Sequence, residues 1–258
     1  MWNSFNVFDY SGMIAETISI SGYNGDTIHA YYSRPLGGGS YPGIVLIPHG
    51  PGWDEFSRET ARRFTEHGYS VLCPNIYERY GGGTPKEVNA KVRAAGGVPD
   101  DSAMGDTAGA LSFLRNQPNA NGKVGVIGMC SGGRHAFLAA CTLEGIDAAV
   151  DAWGGDVNNT PPERRSPLRP VEPIEYVENL SCPLLGVFGN DDPGPSPKDV
   201  ADLGEVLTKF GKEYEFLCYD GAGHAFWCYD QEKYRQAQCM DAWEKTVAFF
   251  DKHLKTEN

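Results

Sequence analysis

A cysteine between two glycines is the residue of this chain best suited to chemistry. Cys130 lies in the run Gly-Met-Cys-Ser-Gly-Gly over residues 128–133, after an apolar strand pattern and directly before a helical one. This Gly-x-Cys-x-Gly spacing is typical of a nucleophile elbow, a sharp strand-to-helix turn, with cysteine in place of the usual serine. The glycines are required because the nucleophile's backbone is strained there and the neighbouring elements approach closely.

The same position favours a reactive thiol. A cysteine in the first turn of a helix lies at the positive end of the helix dipole, which lowers the pKa of the thiol and favours the thiolate that attacks carbonyl carbons. The backbone N–H of Ser131 is an unpaired donor at that helix start, so it is a candidate for stabilising the resulting oxyanion. The alternative is that Cys130 is an ordinary buried cysteine beside glycines needed for packing.

Two partners for this nucleophile follow along the chain, first an acid and then a histidine. Residues 183–189 have the pattern of a buried strand, and Asp191 and Asp192 come directly after it. Residues 214–219 alternate like a later strand, and His224 lies in the glycine-rich loop that follows. Nucleophile, acid and histidine thus occur in the order that the elbow architecture requires. Either aspartate could instead start a turn or cap a helix, and His224 could be a loop histidine with a structural partner.

Composition predicts a single domain with a large core. The chain has 258 residues, of which 41% are hydrophobic and 12% aromatic. No composition break divides residues 1–258, and α/β sheets of this length often form one unit. No apolar run approaches the roughly 18 residues that a membrane helix needs, and the N-terminal residues lack the pattern of a signal peptide. We therefore expect a soluble protein with no membrane partner.

Charge and cysteine usage disfavour several other classes of function. The formal net charge of −12 disfavours nucleic acid and anionic membranes, since both attract basic surfaces. The seven cysteines are scattered singly, which predicts reduced core residues and, with the N-terminal pattern, a cytoplasmic location. No zinc-binding or phosphate-loop spacing occurs, so we expect no metal and no cofactor. The oligomeric state stays open between a monomer and a homodimer.

Strand and helix patterns alternate along the chain after an initial hairpin. Residues 16–21 and 27–32 flank Asn-Gly-Asp, whose turn chemistry predicts two antiparallel strands. The alternation that follows predicts a mostly parallel central sheet with helices on both faces. The last helix is expected from about residue 231 to 253. Residues 156–173, which contain prolines and a pair of arginines, are expected to form a long loop that is a candidate for lining the site.

These motifs resemble those of the dienelactone hydrolase family, a cysteine branch of the α/β-hydrolases. The similarity extends from the hairpin to the terminal helix and is most specific around Cys130. It implies an α/β-hydrolase fold in which Cys130 is the nucleophile and His224 is the base. The family's Gly-x-x-Asp spacing, counted from Gly189, implies Asp192 rather than Asp191 as the acid.

The resemblance also implies residues that contact the substrate. Residues 47–50 correspond to the segment whose backbone supplies the second oxyanion donor, which is Gly50 here. Residues 73–79 match the family's Cys-Pro-x-x-Tyr-x-Arg stretch, and this match implies that Arg79 holds a substrate carboxylate through a bidentate contact. The alternative for Arg79 is a solvated side chain that pairs with Glu78 or another surface acid.

Two departures from the family pattern affect the expected substrate. His49 stands where the family has a glutamate that helps to control ionisation of the cysteine. We expect it among the substrate-binding residues, and it could tune the thiolate or hydrogen-bond a loop carbonyl. Cys228 stands where the family has a second substrate arginine. The expected activity is cysteine-dependent hydrolysis of a small ester or lactone. A broad-specificity carboxylesterase or thioesterase is the alternative enzyme, and a non-catalytic ligand-binding protein is the alternative of another class.

Overall fold

The structure is a computed structural model that describes residues 12–50 and 52–255. Within these residues, eight strands form one sheet. The strands are β1 Met13–Ser21, β2 Thr27–Pro35, β3 Tyr41–Ile47, β4 Ser70–Pro74, β5 Ala120–Met129, β6 Ala148–Ala152, β7 Leu184–Gly189 and β8 Tyr214–Tyr219. The helices are α1 Glu55–Glu66, α2 Pro85–Ala94, α3 Asp100–Arg115, α4 Ser131–Thr142, α5 Pro197–Lys209 and α6 Gln236–Leu254.

The sheet has the topology that the sequence predicts. Its strand order is β1-β2-β4-β3-β5-β6-β7-β8. The first two contacts, β1 with β2 and β2 with β4, are antiparallel, whereas every later pair is parallel. The N-terminal antiparallel pair and the mostly parallel sheet with covering helices are thereby confirmed, and they make an α/β-hydrolase fold.

Apolar side chains cover both faces of the sheet. In β3, Ile44 and Leu46 belong to the core beneath α1 and α6, whereas Val45 and Ile47 belong to the core beneath α3 and α4. A strand buried on both faces has a continuous apolar sequence rather than an alternating one. The sheet is therefore fixed between two layers of helices. The loops that connect strands to helices lie along the edge where the strands end.

Two elements differ from the sequence-based expectation. Strand β6 was not predicted, because its five residues are mostly alanine and carry little strand signal. The last helix begins at Gln236 rather than near residue 231. The preceding residues form turns, in which the N–H of Gln231 bonds the carbonyl of Cys228 and the N–H of Arg235 bonds that of Phe226. Backbone pairing in these turns replaces the helical pattern.

The seven cysteines all lie in the described residues, and all are free thiols. Five of them are buried, whereas Cys130 is partly exposed and Cys218 is exposed. Most of the cysteines therefore lie in the core, as their scattered positions in apolar patterns predict. Across the same part of the chain, no helix combines the length and the apolar character that crossing a membrane requires.

The turn between β5 and α4 is a strained and tightly packed elbow. Cys130 has φ 55° and ψ −122°, which a non-glycine residue rarely adopts. A Cβ atom on Gly128 would overlap the carbonyl of Gly132, and one on Gly132 would overlap the carbonyl of Ile47. The two glycines therefore let α4 begin directly against β5 and β3.

Replacing Gly132 with alanine should destabilise the fold. We expect the free energy of unfolding to fall by at least about 2 kcal/mol, since an added methyl group in a packed core costs roughly this much and here it meets backbone. Gly38→Ala is the matched control, because nothing lies within 4 Å of its Cβ position. Denaturant unfolding compares the two variants. An unchanged midpoint for Gly132→Ala would contradict the tight packing of the elbow.

Candidate active site

Three side chains from three strand ends form one hydrogen-bonded row. His224 follows β8, and its Nε2 lies 3.0 Å from the Sγ of Cys130 at the end of β5. Its Nδ1 lies 2.8 Å from Oδ2 of Asp192, which follows β7. The other carboxylate oxygen of Asp192 accepts the N–H of Gly194 at 2.8 Å. The parallel sheet makes this possible, because the carboxyl ends of its strands share one edge.

The structure distinguishes between the two neighbouring aspartates. Asp192 is buried, with 3% exposure, and its side chain contacts His224. Asp191 is exposed, and its backbone N–H bonds the carbonyl of Ala222. The side chain that reaches His224 is therefore the one selected by the Gly-x-x-Asp spacing.

The contact between the thiol and the imidazole favours the charged form of both groups. Burial alone would raise the pKa of Cys130, but the hydrogen bond and the charge of His224 outweigh it, so the pKa is lowered. Burial alone would lower the pKa of His224, but the hydrogen bonds with Asp192 and Cys130 outweigh it, so that pKa is raised. The two shifts together favour a thiolate paired with an imidazolium.

Two backbone donors also act on the sulfur. The N–H groups of Ser131 and Gly50 both hydrogen-bond Cys130 and contribute to its lowered pKa. Ser131 is the first residue of α4, and Gly50 follows β3, so the donors approach from different strand ends. The N–H of Cys130 itself bonds the carbonyl of Ala152 at 3.0 Å, which ties the elbow to β6. The sulfur thus faces two fixed donors that are directed at negative charge.

Tyr77 is a residue that the sequence analysis did not single out. Its side chain is buried, its hydroxyl donates to the carbonyl of His49 at 2.7 Å, and it also hydrogen-bonds the side chain of Ser131. It therefore joins the two segments that supply the N–H donors, those of Gly50 and Ser131. The signal was present, because this tyrosine is a fixed member of the Cys-Pro-x-x-Tyr-x-Arg stretch that was used only for its arginine.

His49 is held by a carboxylate. Its Nε2 lies 2.8 Å from Oδ2 of Asp54, and its side chain is almost fully buried. The other carboxylate oxygen of Asp54 accepts the N–H of Ser57 and caps α1. The ring therefore bonds a carboxylate, whereas a loop carbonyl was one of the two alternatives that the sequence left open. A substrate contact by His49, and its electrostatic effect on Cys130, stay predictions.

Arg79 is bound by two carboxylates of the protein. Its Nε lies 2.8 Å from Asp26, and its two terminal nitrogens lie 2.8 and 3.0 Å from the two oxygens of Asp106. Asp106 is fully buried. Neither of these two acids is Glu78, which the sequence analysis named as an alternative partner of Arg79. Glu78 lies 2.9 Å from His29 instead. Because the guanidinium fork is occupied, a substrate carboxylate would have to displace an existing ion pair. Carboxylate binding by Arg79 stays a prediction.

No metal-binding group of three His, Cys, Asp or Glu side chains occurs among residues 12–50 and 52–255. The expectation that the protein needs no metal and no cofactor stays a prediction. The row of Cys130, His224 and Asp192 brings together a thiol, an imidazole and a carboxylate, which are types of group that nucleophilic catalysis can use.

Known proteins with similar sequences are hydrolases by name. A Methylorubrum extorquens protein provisionally named carboxymethylenebutenolidase is 30% identical over 245 residues, which cover 94% of this chain and 82% of the relative. A Bradyrhizobium protein provisionally named 2-oxo-3-(5-oxofuran-2-ylidene)propanoate lactonase is 28% identical over 249 residues, which cover 94% of this chain and 98% of that relative.

Structural and family comparisons agree with these relatives. The crystal structure of a provisionally named dienelactone hydrolase from Klebsiella pneumoniae superposes with a TM-score of 0.84 at 25% identity, covering 94% of this chain and 100% of that one. The model of the dienelactone hydrolase family matches residues 28–254, which is most of the sequence. The chain therefore belongs to the dienelactone hydrolase family.

Proposed function

We propose that this protein hydrolyses small esters or lactones with Cys130 as its nucleophile. The observation that carries the proposal is the 3.0 Å contact between Sγ of Cys130 and Nε2 of His224, with Asp192 on the far side of the imidazole. The family supports hydrolysis, and this geometry supports the cysteine as the group that attacks.

The first half of the reaction forms a thioester. The thiolate of Cys130 attacks the acyl carbon, and the negative charge moves onto the carbonyl oxygen. The N–H groups of Ser131 and Gly50 would stabilise that oxyanion, since both already point toward the sulfur. As the carbon–oxygen single bond breaks, the imidazolium of His224 gives its proton to the leaving oxygen.

The second half releases the acid and restores the enzyme. His224, now neutral, takes a proton from water while the water oxygen attacks the thioester carbon. The carbon–sulfur bond then breaks, and the sulfur leaves as the thiolate. Asp192 keeps the imidazole in one orientation throughout. In a lactone the leaving alcohol stays attached to the acyl group, so ring opening yields one hydroxy acid.

The identity of the substrate is open to direct assay. The name of the Bradyrhizobium relative favours a lactone. The buried Cys228, at the position where the resemblance implies a second substrate arginine in the family, favours the alternative of a broad carboxylesterase or thioesterase. A panel of lactones, enol esters, aryl esters and thioesters, each with and without a free carboxylate, separates these proposals. A preference for one ring-opening substrate would support the lactonase, whereas similar rates across the panel would support the broad esterase.

Replacing Cys130 with alanine should abolish hydrolysis. We expect kcat/KM to fall by roughly a thousandfold or more, since removal of a covalent nucleophile costs several powers of ten, with the melting temperature unchanged. Cys218→Ala is the matched control, because this thiol is exposed and lies in strand β8. Activity of Cys130→Ala within about tenfold of the parent would refute the nucleophile assignment.

The neighbouring aspartates provide an internal comparison. Asp192→Asn should lower kcat by roughly a thousandfold or more, because the amide no longer fixes the imidazole tautomer. Asp191→Asn removes the same charge one residue away, at an exposed position, and should change kcat by less than about threefold, as expected for a surface substitution. Steady-state kinetics of both variants give the ranking, and the reverse ranking would move the acid to Asp191.

Alkylation across pH tests whether Cys130 is a thiolate. A lowered pKa means that the thiolate persists as the pH falls below the ordinary cysteine range. Iodoacetamide should therefore modify Cys130 with a midpoint below the unperturbed value of about 8.5. His224→Ala should raise that midpoint, because burial then dominates. Peptide mapping assigns the modified thiols. Cys218 is the internal reference. It is an exposed residue, and the partial desolvation of its thiol raises the pKa. A midpoint for Cys130 at or above that of Cys218 would contradict the ion pair.

A further inference from the structure

Residues 156–173 form the wall of a cavity with an unusual number of cations. The cavity has a volume of about 370 Å³ and is lined by charged side chains of both signs. The cations are Arg134, Arg164, Arg165 and Arg169, and the acids are Asp156, Glu172 and Glu175. Three of these arginines come from the proline-containing stretch itself, whereas Arg134 lies on α4, just after the elbow. In a protein with a net charge of −12, such a concentration of positive charge calls for a local explanation.

Three of the four arginines lie in ion-pair contact with carboxylates. The pairs are Arg134 with Asp100, Arg164 with Asp156, and Arg165 with Glu172. Arg169 has no carboxylate in ion-pair contact within the described part of the chain. Its hydrogen bond is the one from Nε to the carbonyl of Val98, at 3.4 Å. Arg169 is therefore a half-buried cation whose guanidinium has donors to spare.

The surroundings of Arg169 make its charge costly. Burial lowers the pKa of Arg169, and the positive charge of Arg134 lowers it further, against the attraction of Asp100 and Asp156. The protein nevertheless makes room for the side chain, because a Cβ atom on Gly97 would overlap the guanidinium. An anion in the cavity would relieve the repulsion between the two arginines.

The cavity lies at the same edge of the sheet as the proposed catalytic groups. On one side, the charges of both Arg169 and Cys130 act on the buried hydroxyl of Tyr77. On the other side, the Cβ position of Gly194 is 3.8 Å from a terminal nitrogen of Arg164, and Gly194 donates its N–H to Asp192. Arg169 therefore acts on the tyrosine that joins the two N–H donor segments, and Arg164 lies beside the loop that holds Asp192.

We infer that Arg169, rather than Arg79, binds a carboxylate of the substrate, within the cavity formed by residues 156–173. The inference rests on the proposed function, because it assigns an anionic end to the same ester or lactone. One unpaired guanidinium matches one carboxylate through two parallel hydrogen bonds. Arg79, by contrast, already holds Asp106 in that bidentate manner.

The test compares two esters with the same leaving group, 4-nitrophenyl acetate and the mono-4-nitrophenyl ester of glutaric acid. Arg169→Ala should lower kcat/KM for the glutarate ester by roughly 10- to 100-fold, mainly through KM, and leave the acetate ester unchanged. Arg169→Lys should recover part of the loss, since lysine keeps the positive charge but lacks the two parallel N–H donors of the guanidinium. Arg93→Ala, an exposed arginine of α2 that does not line the cavity, is the matched control and should change neither ester.

Arg79→Ala separates the two candidate arginines. A selective loss for the glutarate ester in Arg79→Ala, with none in Arg169→Ala, would overturn the inference and restore the family-based assignment. Equal losses for both esters in Arg169→Ala, or no loss for either, would overturn it as well.

Binding to the Cys130→Ala protein distinguishes failure of this inference from failure of the proposed function. Calorimetry should detect glutarate binding, and Arg169→Ala in the same background should weaken it by roughly tenfold or more. If the parent hydrolyses neither ester, the proposed function fails, and the calorimetric result alone decides the role of Arg169. Equal glutarate affinity with and without Arg169 would overturn the inference, as would tighter binding of inorganic phosphate than of glutarate.

Discussion

The backbone conformation of Cys130 is the constraint on which the rest of the site depends. A residue at φ 55° between β5 and α4 turns its side chain out of the sheet and into the first turn of the helix. That turn is possible because Gly128 and Gly132 let the backbone of α4 pack against both β5 and β3. The strain is balanced by hydrogen bonds and packing around the elbow, and it leaves the thiol facing His224 and the two N–H donors.

A partly buried thiolate needs compensating partners, and the chain provides them from separate elements. His224 supplies a positive charge, and the N–H groups of Ser131 and Gly50 supply dipoles. Asp192 in turn stabilises the imidazolium and is itself bonded by the backbone. Removing one member leaves the others uncompensated, because each charge is favourable only beside its neighbour. The same groups would serve the reaction, in which negative charge moves from sulfur to the carbonyl oxygen and back.

The sequence predicted that Cys130, His224 and Asp192 lie together, because most of the relevant signals are local. The glycines around Cys130, the order of acid and histidine, and the alternation of strands and helices are all short-range patterns. The choice of Asp192 over Asp191 needed the family's spacing. The buried partner of Arg79, Asp106, was not predictable, because it lies 27 residues away in sequence and contacts Arg79 only in the folded chain. Pattern reasoning also missed strand β6, since its residues carry little side-chain signal.

Direct detection of the acyl-enzyme tests the central claim that Cys130 is the nucleophile. The parent protein is mixed with 4-nitrophenyl acetate, quenched in acid on the millisecond scale, digested and mapped by mass spectrometry. The thiolate–imidazolium pair predicts a burst of nitrophenolate and one acetyl group carried as a thioester on the peptide that contains Cys130. An acetyl group on Ser131 or on any other residue during the burst, with the Cys130 peptide unmodified, would contradict the account.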